Sequence, residues 1–303
     1  MAIMTYIKEI GRGKDGARSL TRAQATDLFG QLLDGGLKDL EVGAFCLAMR
    51  IKGETPLEMA GFLDATHARL NLVPATPGGQ PTIVIPSYNG ARKLPALTPL
   101  LALLLAREGL PVLIHGTATE STRVYTAHVL AALGIPAQEA VQPIAPGTVQ
   151  FVPTHVLSAG LQRLLEVRRV VGLRNSSHSV VKLMNPCAGK SLVLSSYTHP
   201  EYAVSMAATF ELMQANAMLL RGTEGESVAD ARRMPKMDAF VAGVPRVVQE
   251  ARSGMSPVLP ELPPTTDADA TAGYIREVLG GTKTVPESIA TQVEHILRLV
   301  QQL

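Results

Sequence analysis

Residues 20–61 read LTRAQATDLFGQLLDGGLKDLEVGAFCLAMRIKGETPLEMAG, three helices written with their punctuation. Thr21 stands at an N-cap, and Leu28, Phe29, Leu32 and Leu33 share one face until Gly35-Gly36 ends the helix. A second helix is predicted from Asp39 to Lys52, stopped by Gly53. The third has the clearest start: Thr55 as N-cap, Pro56 at the first helical position and Glu58 closing a capping box, ahead of Met59, Phe62 and Leu63. Short amphipathic helices of this kind predict a small helical lobe over residues 1–75.

From Pro74 to Pro81 the composition shifts to Pro, Gly, Thr and Gln, which marks a linker. Beyond it, apolar β-rich runs at Thr82–Ile85, Val112–His115, Leu192–Ser195 and Met218–Leu220 alternate with helical patterns near 97–108, 121–133 and 200–214. Strands separated by helices predict a parallel sheet covered on both faces. The expected class is therefore α/β, a helical lobe followed by a larger α/β domain over 80–303. Residues 155–185 again read as helical and are expected to pack back on the first lobe.

The chain has 303 residues, 46% hydrophobic and 18% charged, with a mean hydropathy of +0.17, too apolar for disorder. Its longest unbroken apolar run, Leu100–Ala106, is far below the roughly 20 residues of a membrane span, and Met1–Gly13 lacks the apolar stretch of a signal peptide. A cytoplasmic protein without membrane contact is expected. Cys46 and Cys187 have no CxxC spacing, so no disulfide framework or structural zinc is expected. Trp is absent and aromatics make up 4%, which argues against stacked-base recognition. Any nucleic-acid contact must rely on charge. The net charge of +2 is unevenly spread. Between 155 and 190, Arg163, Arg168, Arg169, Arg174, Lys182 and Lys190 face only Glu166, a net of +5, while 255–303 carries −3. Such asymmetry points to an anion-facing side.

No G-x-G-x-x-G follows a strand, and there is no Walker loop and no H-E-x-x-H. What stands out is order and spacing. The stretch 20–61, then GLPVLIHG, HVLAALGI and VVGLRNSSHSVVKLMNP, resembles anthranilate phosphoribosyltransferase over nearly the whole chain. The resemblance implies the anthranilate phosphoribosyltransferase/nucleoside phosphorylase-like fold, a cleft between the lobes for phosphoribosyl pyrophosphate and Mg²⁺, and dimerisation through the helical lobe. Apolar positions such as Leu28, Leu32, Phe45 and Met49 are candidates for that dimer face or for the lobe's own core.

The chemistry of that family carries over poorly. Its glycine-rich GTGGD loop, which brings backbone N–H groups to a diphosphate, aligns with Pro86-Ser87-Tyr88-Asn89-Gly90, followed by Ala91-Arg92-Lys93. Its KHGN becomes Ile114-His115-Gly116-Thr117, and its SSKSGSAD becomes residues 121–128, STRVYTAH. Its Mg²⁺-holding Asp-Glu pair aligns with Ser227-Val228, with Glu224 and Glu226 nearby. His155 and Arg174 match positions near its aromatic-acid site, and Asn185-Pro186 match its NP. The departures form a pattern of their own. IKEIGRGK at 7–14, IVIPSYNGARK at 83–93, GLRNSSHSVVKL at 172–183, THPEY at 198–202 and RGTEGE at 221–226 resemble the YbiB-type branch of the glycosyl transferase family 3 proteins.

That branch implies a homodimer that keeps the transferase fold, has lost the transferase site and binds nucleic acid without strong sequence preference. Arg12, Lys14, Arg92, Lys93, Arg123, Arg174 and Lys182 are the expected phosphate contacts, with no catalytic residue, no metal and no cofactor. DNA and RNA both remain open as partners. Lys8, Arg12 and Lys14 lie on a glycine-rich segment expected to be flexible enough to wrap a strand. The alternative is a transferase with another sugar-phosphate donor, whose cleft would hold His115, Gly116, Thr117, His155 and Arg174. A silent protein that binds a small anion or a protein partner is the third reading.

Overall fold

The computed structural model describes residues 3–13 and 15–303. The helical lobe contains α1 (Ile3–Ile10), α2 (Arg22–Asp34), α3 (Asp39–Lys52) and α4 (Pro56–His67). The caps predicted from sequence close α2 and α4: the Thr21 and Thr55 side chains accept from the backbones of Gln24 and Glu58, whose own side chains reach back. Gly35 ends α2 in the left-handed conformation. Phe29 stacks on Phe62 at 4.6 Å between centroids, with Phe45 edge-on to both. Of the basic residues expected on a flexible segment, Lys8 lies on helix α1, Arg12 follows it and Lys14 lies outside the described residues. Ile3, Tyr6 and Ile10 of α1 are buried at helical spacing, and the Tyr6 hydroxyl donates to Asp27.

The α/β part follows as β1 (Thr82–Ser87), α5 (Thr98–Arg107), β2 (Val112–Gly116), α6 (Thr126–Ala132), β3 (Val149–Pro153), α7 (Thr154–Leu157), α8 (Ala159–Val171) and α9 (Ser177–Leu183). Then come β4 (Ser191–Ser196), α10 (Pro200–Leu212), β5 (Ala217–Leu220), β6 (Met237–Val241), β7 (Val244–Gln249), α11 (Ala268–Leu279) and α12 (Glu287–Val300). One seven-stranded sheet results, ordered β3-β2-β1-β4-β5-β6-β7. The first five strands are parallel, and β6 and β7 run antiparallel at one edge.

Alternation along the strands assigns the two faces. Val84, Leu113, Val193 and Leu219 join a core continuous with the helical lobe, α8 and α9. Ile83, Ile85, Ile114, Leu192, Leu194 and Met218 face the opposite way, onto α5, α11 and α12. Helix α8 rests on α2 so closely that a Cβ at Gly160 would lie 2.2 Å from the Leu33 carbonyl oxygen. The Arg163 guanidinium donates to that same carbonyl. Among the described residues, no helix is long and apolar enough to cross a membrane.

Leu28, Leu32, Phe45 and Met49 are buried in the core of the lobe and are not its outer face. The apolar residues that α3 turns outward are Leu40, Leu47 and Ile51, joined by Met4 and Leu57.

Candidate nucleic-acid interface and interlobe cleft

Because β1 to β5 are parallel, the loops leaving their carboxyl ends gather on one side, beside the helical lobe. The loop after β1 is pinned by three anchors, two from the stretch after β2 and one from the loop after β5. Ala91 pairs with Val124 as an isolated bridge, and the Arg123 guanidinium donates to the Asn89 carbonyl at 3.0 Å. The third anchor comes from the loop after β5. Glu226 Oε1 accepts from the backbone N–H groups of Asn89 at 2.7 Å and Gly90 at 2.9 Å. Glu224 accepts from those of Arg92 at 2.7 Å, Lys93 at 3.1 Å and Leu94 at 3.5 Å. Gly225 between them is a close approach: a Cβ there would lie 1.8 Å from Asn89 Nδ2.

Beneath this loop Tyr88 fills the space at the strand ends. Its hydroxyl bonds His115 Nδ1 at 2.8 Å and accepts from Thr154 Oγ1 at 3.0 Å. His115 is fully buried, and burial pushes its imidazole down to about 3. Gly116 touches the neighbouring strand, since a Cβ there would lie 2.0 Å from the Ser87 carbonyl oxygen.

Beside this loop three guanidiniums share one carboxylate. Arg168 Nη2 stands 2.6 Å from Glu120 Oε1, Arg174 Nη2 stands 3.7 Å from the same oxygen, and Arg123 Nε donates to Oε2 at 3.1 Å. Burial alone would raise the Glu120 carboxyl, but the Arg168 hydrogen bond and the charges of Arg123 and Arg168 hold it below the usual range. Arg174 shows the opposite imbalance: burial first, then the Arg168 and Arg123 charges, disfavour its cationic form and outweigh the opposing effects of Glu120 and Tyr125. Arg168 Nη1 is buried without a hydrogen-bond partner.

Of the expected phosphate contacts, Arg123 and Arg174 meet in this cluster, and Arg92 and Lys93 are exposed on the adjoining loop. Lys182 is half-buried; its ammonium donates to the Gly225 carbonyl at 2.9 Å, and burial brings it down to about 8. Arg12 is exposed but bound to Glu9 at 2.8 Å, and Lys14 lies outside the described residues. Sequence reasoning passed over Glu120 and treated Arg168 only as part of a charge count. Their role depends on a contact across 48 positions that no local pattern signals.

Between the lobes opens a cavity of about 360 Å³, bounded by Glu54, Arg174, His178, Lys182, Tyr197 and His199 among others. His178 is buried with Nε2 unpartnered, and burial together with the Arg174 charge pushes its imidazole down to about 3. Of the cleft residues expected for a transferase, Arg174 lines this cavity. His115 and Gly116 are buried on β2, Thr117 is half-buried after it, and His155 is exposed on α7.

Comparison with known proteins places this arrangement. A glycosyl transferase family model, the helical bundle domain, matches residues 4–69. Anthranilate phosphoribosyltransferase of Methylobacterium nodulans is 26% identical over 301 residues, spanning 94% of this chain and 85% of that protein. YbiB of Escherichia coli (strain K12) is 40% identical over 294 residues, spanning 95% of this chain and 91% of that protein. The chain belongs to the YbiB-type branch of the anthranilate phosphoribosyltransferase-like family. Solved structures agree on the fold of this branch. The anthranilate phosphoribosyltransferase of Thermus thermophilus matches with a TM-score of 0.72 at 21% identity, covering 95% of this chain and 85% of that one. The Saccharomyces cerevisiae enzyme in complex with PRPP and Mg matches with a TM-score of 0.69 at 14% identity, covering 99% and 89%.

The YbiB-type loop does not fit the Mg²⁺ that the enzyme fold implies. A hard dication needs a cage of free oxygen ligands. Here the Glu224 and Glu226 oxygens already accept N–H groups, which a cation in the same place would repel.

Proposed function

We propose that this chain is a homodimeric, cytoplasmic protein that binds nucleic acid without sequence preference, on a phosphoribosyltransferase scaffold whose diphosphate and Mg²⁺ sites are lost. The observation that carries the reading is the Arg123–Arg168–Arg174 cluster on the single carboxylate of Glu120, beside exposed Arg92 and Lys93. Excess guanidinium charge, half-buried beside the exposed Arg92 and Lys93, suits repeated phosphates, which position a strand and do not specify its sequence. The carboxylates seated on the Asn89–Leu94 amides support the loss of the diphosphate site, because they fill the donors that a diphosphate would need. Leu40 at 84% exposure, with Leu47 and Ile51 on the same helix, supports a dimer through the helical lobe.

A second reading keeps transferase chemistry on a different sugar-phosphate donor. It is favoured by the named enzymes among the relatives and by the interlobe cavity, where Arg174, His178 and Lys182 converge. Two measurements on one preparation separate the readings. Fluorescence anisotropy with labelled single-stranded and duplex DNA and RNA, at several salt concentrations, is expected to show salt-steep binding indifferent to sequence. Incubation with phosphoribosyl pyrophosphate, Mg²⁺ and anthranilate is expected to show no consumption above a protein-free control. Turnover abolished by Arg174→Ala, without oligonucleotide binding, would establish the transferase instead.

A further inference from the structure

Lys52 and Lys182 are both drawn in from solvent, but their surroundings differ. Lys52 Nζ meets the buried Glu58 carboxylate at 2.6 Å. Among the described residues no carboxylate comes within ion-pair distance of Lys182 Nζ, which donates instead to the Gly225 carbonyl at 2.9 Å. An ammonium that loses hydration without gaining a counter-ion gives up its proton more readily. Burial, against the pull of Glu226 and with the help of the Arg174 charge, brings Lys182 down to about 8. About half of such an amine is neutral at pH 8, against about 0.4% of a lysine that titrates at about 10.4.

Lys182 lines the interlobe cavity of about 360 Å³, on the same face of α9 as His178 one turn before it. His178 Nε2 is buried without a partner, and Arg174, its side chain 33% exposed, lines the same cavity. A nucleophilic amine, an imidazole with an unpartnered nitrogen and a guanidinium therefore border one space of ligand size.

We infer that Lys182 captures, as an imine, an aldehyde that carries a phosphate group, with Arg174 pairing with the phosphate. The amine attacks the carbonyl carbon, the C–N bond forms, and the nitrogen passes a proton to the carbonyl oxygen. The hydroxyl of the resulting carbinolamine can bond His178 Nε2 in either tautomer. That hydroxyl leaves as water with the remaining N–H proton, and a C=N bond is left. The step is reversible and needs neither oxidant nor reductant. It goes beyond both functional readings, since it depends neither on repeated phosphates nor on a diphosphate leaving group. Two sources supply such an aldehyde: a free sugar phosphate in its open-chain form, and the C1′ aldehyde of an abasic site, which has phosphates on either side.

Sodium cyanoborohydride reduces an imine to a stable secondary amine, and peptide mass spectrometry locates it. The unaltered chain is treated at pH 8 with glyceraldehyde 3-phosphate and, separately, with a single-stranded oligonucleotide holding one abasic site. The expected result is labelling of Lys182 about tenfold faster, or more, than any other lysine. Preference for Lys182 with the free phosphate alone assigns the ligand to small metabolites, and preference with the abasic strand extends it to nucleic acid. Labelling by both aldehydes that is spread over the lysines, or concentrated on another one, would overturn the inference. No variant enters this arm, so its outcome is independent of any variant's folding.

The phosphate contact is read from the ratio of labelling rates with glyceraldehyde 3-phosphate and with glyceraldehyde, which cancels any change in the amine itself. The ratio at Lys182 is expected to be about ten in the unaltered protein and to fall toward one in Arg174→Gln. A ratio of one in the unaltered protein, or a ratio unchanged by Arg174→Gln, would remove Arg174 from the site. If circular dichroism finds Arg174→Gln unfolded, the unaltered protein's ratio decides alone. Should ordinary oligonucleotides fail to bind, the proposed function falls while the labelling of Lys182 still stands. Should they bind without any preference for Lys182 in the labelling, only the present inference falls.

Discussion

Arg168 Nη2 stands 2.6 Å from Glu120 Oε1, and this contact neutralises one guanidinium of three. Replacing the carboxylate with an amide keeps an acceptor but removes the charge. Glu120→Gln is expected to tighten oligonucleotide binding about threefold at low salt and to steepen its salt dependence, while lowering stability by about 1 kcal/mol. Anisotropy and thermal melts check the two halves. Weaker binding would place the arginine cluster away from the nucleic acid.

Arg92 and Lys93 are exposed and owe their placement to backbone bonds with Glu224, so truncating their side chains leaves the loop intact. Arg92→Ala with Lys93→Ala is expected to weaken all oligonucleotides alike. The log–log salt slope should become shallower by about 0.7 per lost contact on a single strand and about 0.9 on duplex. Arg276→Ala with Lys283→Ala, where the lysine is paired to Glu277, is the control and should change little. Equal losses from both pairs would show that net charge alone drives binding.

The apolar stripe on α3 predicts the assembly state. Leu40→Asp with Leu47→Asp puts two charges into the proposed dimer face without touching the buried Phe45 and Met49 beneath it. Light scattering at micromolar concentration is expected to find a dimer for the unaltered protein and a folded monomer for the variant. A monomer in both would remove the dimer from the proposal.

Glu58 is fully buried on α4, bonded to Lys52 Nζ at 2.6 Å, the Leu20 amide at 2.9 Å and Thr55. Removing it leaves the half-buried Lys52 and an amide without their partner. Glu58→Ala is therefore expected to cost about 3–5 kcal/mol, read from urea melts, with Glu58→Gln costing less.

Acid sensitivity follows from two buried imidazoles. His115 and His178 titrate at about 3 in the folded chain, each chiefly through burial, whereas an unfolded histidine titrates near 6.5. Between those values the unfolded chain binds more protons, so stability falls as the pH drops through 6.5 toward 3, by about 1.4 kcal/mol per pH unit for each histidine. Above pH 6.5 neither contributes a slope. His115→Gln is expected to reduce the slope of unfolding free energy between pH 6 and pH 5 by one histidine's share. An unchanged slope would mean that His115 takes up its proton without unfolding.

The sequence alone determined what local chemistry can carry. Thr21, Thr55, Pro56 and Gly35 are read within four residues of themselves, so α2 and α4 were legible to their caps. The short apolar runs of β1, β2, β4 and β5 were legible because strands buried on both faces lack polar interruptions. Strand β7 was not, because most of it is exposed at the sheet edge and carries no such run. The family was legible because its motifs survive in order.

Tertiary structure decided the rest, for one physical reason: these choices are made between groups distant in sequence. α3 is apolar on more than one side, so periodicity could not say whether Leu40 or Phe45 met the core; packing against α2 and α4 decided it. A carboxylate reads the same whether it holds a cation or an amide. Only folding, by bringing the loop after β5 against the loop after β1, put Glu224 and Glu226 on backbone N–H groups and left Arg92 and Lys93 facing solvent.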